Sequence, residues 1–155
     1  MPGDDSTTYL VRHAKAGSRE RWTAPDRDRP LTDAGRLQAA ALVKVIGSGV
    51  RRITSSPYKR CVETVMPLAE ALGLRVEEED RLAEGAGPEW TLGELATAGG
   101  TVLCTHGDVM AEVVTSLADA KVPLQGGMQW AKGATWAFDI AGGRIVAGRY
   151  LPPPV

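Results

Sequence analysis

The sequence predicts an α/β fold: a three-layer sandwich with a mainly parallel sheet, helices on both faces and an antiparallel edge from a C-terminal hairpin. Two observations predict it. Short apolar, β-branched runs alternate with segments of helical periodicity, as in strands joined by crossover helices. That alternation stops near Leu117, and two strand-like segments then flank Ala141-Gly-Gly143, a hairpin composition. A length of 155 residues fits one domain spanning 1–155. Hydrophobic residues make up 43% and charged residues 24%, a globular rather than a disordered balance.

Taken in order, residues 7–11 predict a buried strand, and a charged loop over 14–30 carries Trp22. Thr32 reads as a helix N-cap, with Asp33 at the positive end of the helix. Leu37, Ala41 and Val45 supply a buried stripe at i, i+4 and i+8, with Leu42 and Ile46 beside it, and Gly47 and Gly49 end the helix. Residues 52–55 predict a second strand. The helix opening after Pro57 places Cys61, Val65, Ala69 and Leu72 on one stripe and stops at Gly73. Pro67 lacks the N–H that would bond to Glu63, so a kink or a fresh start is expected there. Residues 74–77 predict a third strand, and the acidic run 77–80 a solvated turn. Residues 101–105 predict a fourth strand, followed by a helix carrying Val109, Val113, Val114 and Leu117. Residues 134–140 and 144–150 form the hairpin, and the prolines at 152–154 a terminal tail.

The formal net charge of -1 gives no global attraction to nucleic acid or an anionic membrane, so any basic site must be local. The two cysteines, Cys61 and Cys104, lie far apart, and Cys104 sits in an apolar run as a reduced core thiol. Two cysteines and two histidines without close spacing cannot make the usual zinc site, so no metal or cofactor is expected. Residues 1–5 are acidic and lack the apolar stretch of a signal peptide. No segment approaches the roughly 18 apolar residues needed to span a membrane. The expected compartment is the cytosol.

Three pieces carry chemistry, each just after a predicted strand, where open α/β sheets collect ligands. They are Leu10-Val-Arg-His13, Ser55-Ser-Pro-Tyr-Lys-Arg60 and Thr101-Val-Leu-Cys-Thr-His-Gly107. Each has a bland reading alone: a surface Arg–His pair, a Ser-Pro helix start, and a glycine permitting a tight turn. Together they place the only two histidines, His13 and His106, at strand ends beside Arg12 and Arg60. Two guanidinium groups can hold phosphate oxygens in bidentate fashion. A neutral imidazole can attack phosphorus, and the phosphoramidate it forms can be hydrolysed.

These pieces resemble the histidine phosphatases, the phosphoglycerate mutase-like superfamily, over most of the chain from Tyr9 to about Tyr150. The family's first motif matches Arg12 and His13, its Ser-x-x-x-Arg motif matches Ser56 through Arg60, and its late His-Gly motif matches His106 and Gly107. Arg29-Pro-Leu-Thr-Asp-Ala-Gly35 resembles the stretch before the family's first helix. The resemblance implies that His13 is the phosphorylated nucleophile. It also implies that Glu84, in the Leu-x-Glu setting Leu82-Ala-Glu84, donates a proton to the leaving group, the alternative being a solvated loop carboxylate.

Only a modest stretch separates the Glu84 loop from the fourth strand, which argues against a closed lid and for hydrolysis over phosphoryl exchange. Arg12-His-Ala-Lys15 is similar to the short phosphohistidine phosphatases of the SixA type. Thr105-His-Gly-Asp-Val109 and Lys132-Gly-Ala-Thr-Trp136 resemble the phosphatase half of actinobacterial MutT-type proteins, which act on nucleotides. Trp22 is either a loop anchor or a platform for a base, among five cations (Lys15, Arg19, Arg21, Arg27, Arg29) facing three carboxylates (Glu20, Asp26, Asp28). Three functions stay open: a phosphatase of phosphohistidine protein, a phosphatase of a small phosphorylated metabolite or nucleotide, and a silent phosphate-binding domain. Intact Arg12, His13, Arg60 and His106 argue against the last.

Overall fold

The computed structural model describes residues 6–155; the acidic segment 1–5 lies outside the described residues. The elements are β1 (Thr7–Arg12), α1 (Asp33–Val45), β2 (Arg52–Ser55), α2 (Lys59–Leu72), β3 (Val76–Glu78), α3 (Glu89–Thr97), β4 (Thr101–Thr105), α4 (Gly107–Asp119), β5 (Leu124–Gln125), β6 (Thr135–Ala141) and β7 (Arg144–Leu151). They build one seven-stranded sheet of order β3-β2-β4-β1-β6-β7-β5. The β3–β2, β2–β4 and β4–β1 pairings are parallel. The hairpin β6–β7 joins β1 antiparallel, and the two-residue β5 pairs parallel outside β7.

Side chains alternate across a strand, so neighbouring residues serve opposite faces. Leu10 and Leu103 point with Trp136 and Phe138 into the layer of α3 and α4, against Leu95, Val109, Met110 and Val113. Val11, Val102 and Cys104 point the other way, against Leu42 of α1 and Cys61, Val65, Leu68 and Ala69 of α2. The register Leu10↔Leu103 and Val11↔Cys104 keeps the two faces in phase. This is the expected three-layer arrangement.

Several local expectations need correction. In α1 the Thr32 side chain caps the helix by accepting from the Gly35 N–H at 3.0 Å. The buried face, however, is Gly35, Gln38, Ala39 and Leu42, while Leu37 is 66% exposed. The loop before the helix rotates that face inward. A Cβ at Gly35 would stand 2.0 Å from the Lys15 carbonyl oxygen, and Gln38 Oε1 accepts from the Lys15 N–H at 2.9 Å. In α2 the helix runs through Pro67 without ending or restarting, and Leu68 rather than the exposed Leu72 completes the buried stripe. The third strand starts two residues later than expected, at Val76, and takes in part of the acidic run. Helix α3 carries no start signal in its sequence: its N-cap is Pro88, without a capping side chain, and Gly93 sits in its middle.

Candidate active site

Because β2, β4 and β1 are parallel neighbours, their C-terminal ends share one edge. Pairing continues to the functional residues themselves: the His13 N–H donates to Thr105 O and the Ser56 N–H to Cys104 O, both at 3.0 Å. His106 then serves as N-cap residue of α4, and Arg60 lies in the first turn of α2. A cavity of about 460 Å³ opens at this edge, with Arg12, His13, Arg60, Glu84 and His106 in its walls. The sequence-predicted site residues therefore all meet in one place.

His13 is 6% exposed. Its Nδ1 lies 2.8 Å from Ala14 O. A carbonyl oxygen can only accept, so Nδ1 carries the proton and Nε2 keeps the lone pair. Burial is the main cause that lowers the His13 pKa to about 3, with the neighbouring His106, Arg60 and Arg12 adding to it. The ring is thus neutral over the physiological range.

His106 faces His13 edge-on with ring centroids 5.5 Å apart. Its Nε2 is 2.9 Å from Ser56 Oγ, and its Nδ1 is 3.5 Å from an Arg60 guanidinium nitrogen. Guanidinium has no acceptor, so the second contact works only if Nδ1 holds a lone pair and Nε2–H donates to Ser56. Cys61 Sγ also lies 3.6 Å from Nε2. Both cysteines are free and buried, and burial pushes the Cys104 thiol well above its usual range.

Arg60, 1% exposed, is held on several sides. It donates to Asp26 O at 3.0 Å, to Asp26 Oδ2 at 3.1 Å and to Glu84 Oε1 at 3.1 Å, and its guanidinium stands 5.0 Å from the centre of the Tyr58 ring. Arg12 donates to Trp130 O at 2.7 Å, and burial lowers its pKa. The Nε–H groups of Arg12 and Arg60 are both buried without a hydrogen-bond partner, so each guanidinium beside the cavity carries one desolvated, unpaired donor. Gly107 is explained by space rather than by a turn. A Cβ there would lie 2.5 Å from Arg12 Cζ, so glycine lets the guanidinium pass beneath the start of α4.

Glu84 follows the 3₁₀ turn Asp80–Leu82 and accepts from Arg60 and, at 3.2 Å, from Arg19. Its loop is tied to α4 by the Gly85 N–H, which donates to Asp108 Oδ2 at 2.7 Å. Asp26 was not singled out from the sequence, yet it joins Arg60, Arg29 and Arg19. Burial alone would raise its pKa, but the hydrogen bond from Arg29 and the charges of Arg60, Arg29 and Arg19 outweigh it and hold the carboxyl below its usual value. Lys132, which opens the segment 132–136 with its MutT-type resemblance, and Trp130, which carried no signal, also line the cavity, and burial lowers the Lys132 pKa. Spacing gave no sign of these residues, because they reach the site from loops. Trp22 is half-buried, and its Nε1–H donates to Pro25 O at 2.9 Å within the same loop. Among the described residues, no cluster of three or more His, Cys, Asp or Glu side chains is suited to a metal ion.

The family model of the histidine phosphatase superfamily, branch 1, matches residues 8–98. The 8-oxo-(d)GTP phosphatase of Mycolicibacterium smegmatis is 36% identical over 163 aligned positions, covering 99% of this chain and 50% of that protein, so the chain spans half of that relative's length. Solved structures share the fold. The protein histidine phosphatase SixA in complex with tungstate superposes with a TM-score of 0.72 at 19% identity, over 95% of this chain and 97% of that one. A phosphoserine phosphatase mutant of Entamoeba histolytica in complex with phosphoserine gives 0.65 at 15%, over 95% and 97%. No helix of the described residues is long and apolar enough to cross a membrane. With the matched segment holding the Arg12–His13, Arg60 and Glu84 positions, the chain belongs to the histidine phosphatase superfamily.

Proposed function

We propose that the chain acts as one catalytic domain, a phosphatase that takes a phosphoryl group onto His13 Nε2 and transfers it to water. The observation that carries this reading is the fixed tautomer of His13, a buried neutral ring with a free lone pair on Nε2 in a cavity that Arg12 and Arg60 also line. Arg12 and Arg60 hold the phosphoryl oxygens, and their preset charge stabilises the anion that spreads over them in the transition state. The Nε2–P bond forms as the bond from phosphorus to the leaving group breaks, and Glu84 delivers a proton to the departing oxygen. Water then gives a proton back to Glu84 as it attacks phosphorus, the N–P bond breaks, and inorganic phosphate leaves with His13 neutral again. His106 lines the opposite wall and, with protons on both ring nitrogens in the complex, donates from Nδ1 to a phosphoryl oxygen.

The substrate is a phosphorylated protein side chain or a small phosphorylated metabolite. The relative of Mycolicibacterium smegmatis, named for a nucleotide, favours a nucleoside phosphate as a second, finer reading. A rapid-quench experiment tests the mechanism. Wild type should yield an acid-labile, base-stable phosphoryl-enzyme mapping to His13, and His13→Ala should yield none. A trapped phosphate on another residue overturns the assignment. A panel of phosphohistidine protein, nucleoside phosphates and sugar phosphates decides the substrate class.

A further inference from the structure

A second cavity, also about 460 Å³, opens beside the first. Pro88 and Glu89 at the start of α3, Ala111, Glu112 and Thr115 of α4, and Trp130 line it. Ala111 and Trp130 are walls of both cavities. Gly107 lies one helical turn before Ala111 and Thr115 one turn after it, so α4 leads from the phosphate cavity into the groove over about 12 Å. Trp130 is half-buried, packs on the α3–α4 core and gives its carbonyl oxygen to Arg12. Any group seated against this indole therefore has its position fixed relative to the phosphate-binding arginine.

The two cavities differ in charge. In the first, Arg12, Arg19, Arg29, Arg60 and Lys132 outnumber the carboxylates Glu84 and Asp108, whereas the groove is largely apolar with two exposed carboxylates, Glu89 and Glu112, and no cation. An anion is repelled from the groove, while a flat ring bearing N–H donors gains an aromatic partner and carboxylate acceptors. We propose that the groove is the leaving-group subsite and takes the heteroaromatic ring of a nucleoside phosphate against Trp130, with Glu89 and Glu112 accepting from its N–H groups. This assignment rests on the phosphatase reading only for which end of the ligand is cleaved.

Binding and turnover test it separately on the full chain. Unphosphorylated guanosine, titrated into isotope-labelled protein, should shift the Trp130 indole signal and the amides of residues 111–116, and Trp130→Ala should abolish the amide shifts. Absence of these shifts in wild type overturns the subsite whatever the enzyme hydrolyses. In kinetics, the ratio of kcat/KM for guanosine diphosphate to that for ring-free phosphoserine should fall about tenfold in Trp130→Ala, as expected for a lost base–aromatic stack. The fall should lie in KM, and Trp130→Phe should restore most of it. A ratio within threefold of wild type overturns the proposal. If wild type hydrolyses neither substrate while guanosine still shifts the groove, the phosphatase reading fails and the ring subsite stands.

Discussion

The floor and the rim of the cavity at the sheet edge are built on different principles. The floor consists of His13, Arg60 and His106, each at most 6% exposed and each set by the end of a strand or the first turn of a helix. Backbone pairing continues up to these residues, so their positions follow from sheet register. The rim consists of Arg19, Glu84, Lys132 and Trp130, which arrive from loops and are linked by ion pairs and single hydrogen bonds. Burial makes the floor rigid and tunes its proton chemistry. Exposure leaves the rim free to differ between relatives without disturbing the fold. Under the proposed mechanism, this difference assigns reaction type to the floor and substrate choice to the rim.

The strongest way to break this division is His13→Ala, expected to lower kcat by at least about 10³-fold on every substrate, because no other group replaces the nucleophile. Residual turnover within tenfold of wild type would move the chemistry off the floor. Glu84→Gln should cost about 10²–10⁴-fold on alkyl phosphates and much less on phosphohistidine, whose imidazole leaves readily. Equal losses on both would show that Glu84 acts by holding Arg60 and Arg19. Gly107→Ala should weaken inorganic phosphate binding about tenfold, since the added methyl displaces the Arg12 guanidinium and a charged hydrogen bond is lost. An unchanged dissociation constant by calorimetry would show that Arg12 does not reach the anion.

Acid pH sharpens the comparison from the protonation side. The His13 ring should stay neutral at pH 5 by NMR, because its folded pKa of about 3 lies below the ordinary 6.5. The unfolded chain takes up that proton first as pH falls, so His13 removes stability progressively between about 6.5 and 3. A midpoint at or above 6 in the folded protein would contradict the buried lone pair. The smallest effect is expected far from both regions. Thr32→Ala removes the α1 cap and should cost about 1 kcal/mol in denaturant unfolding, with kcat unchanged.

The floor was legible in the sequence because it obeys local rules. An apolar run ends, a polar motif follows, and three such junctions on parallel neighbours must converge. The strands 52–55 and 101–105 and the caps Thr32 and Gly73 fall where those rules put them. What was hidden depends on long-range contacts. The buried face of α1 is set by Lys15 and Gln38 rather than by Leu37, since a loop carbonyl presses on Gly35. Asp26 looked like one charge among eight in a solvated loop, yet three arginines gather around it once Arg60 is in place. Trp130 carried no motif, and only the path of the chain before β6 brings it to Arg12.

The position of β1 has a consequence for biosynthesis. This strand lies between β4 and β6, and Tyr9 pairs with Val102, 93 positions further along the chain (102 − 9). Its other edge waits longer, for Ala137. At roughly 5–20 residues per second, a growing polypeptide carries this apolar segment with both edges open for about 5–20 seconds. Open edges recruit other strands, so the interval exposes the nascent chain to misassociation. It also means that His13 has no partner wall until His106 has been made. If His13 and His106 act as proposed, catalytic competence arises late and all at once, as a property of the completed sheet.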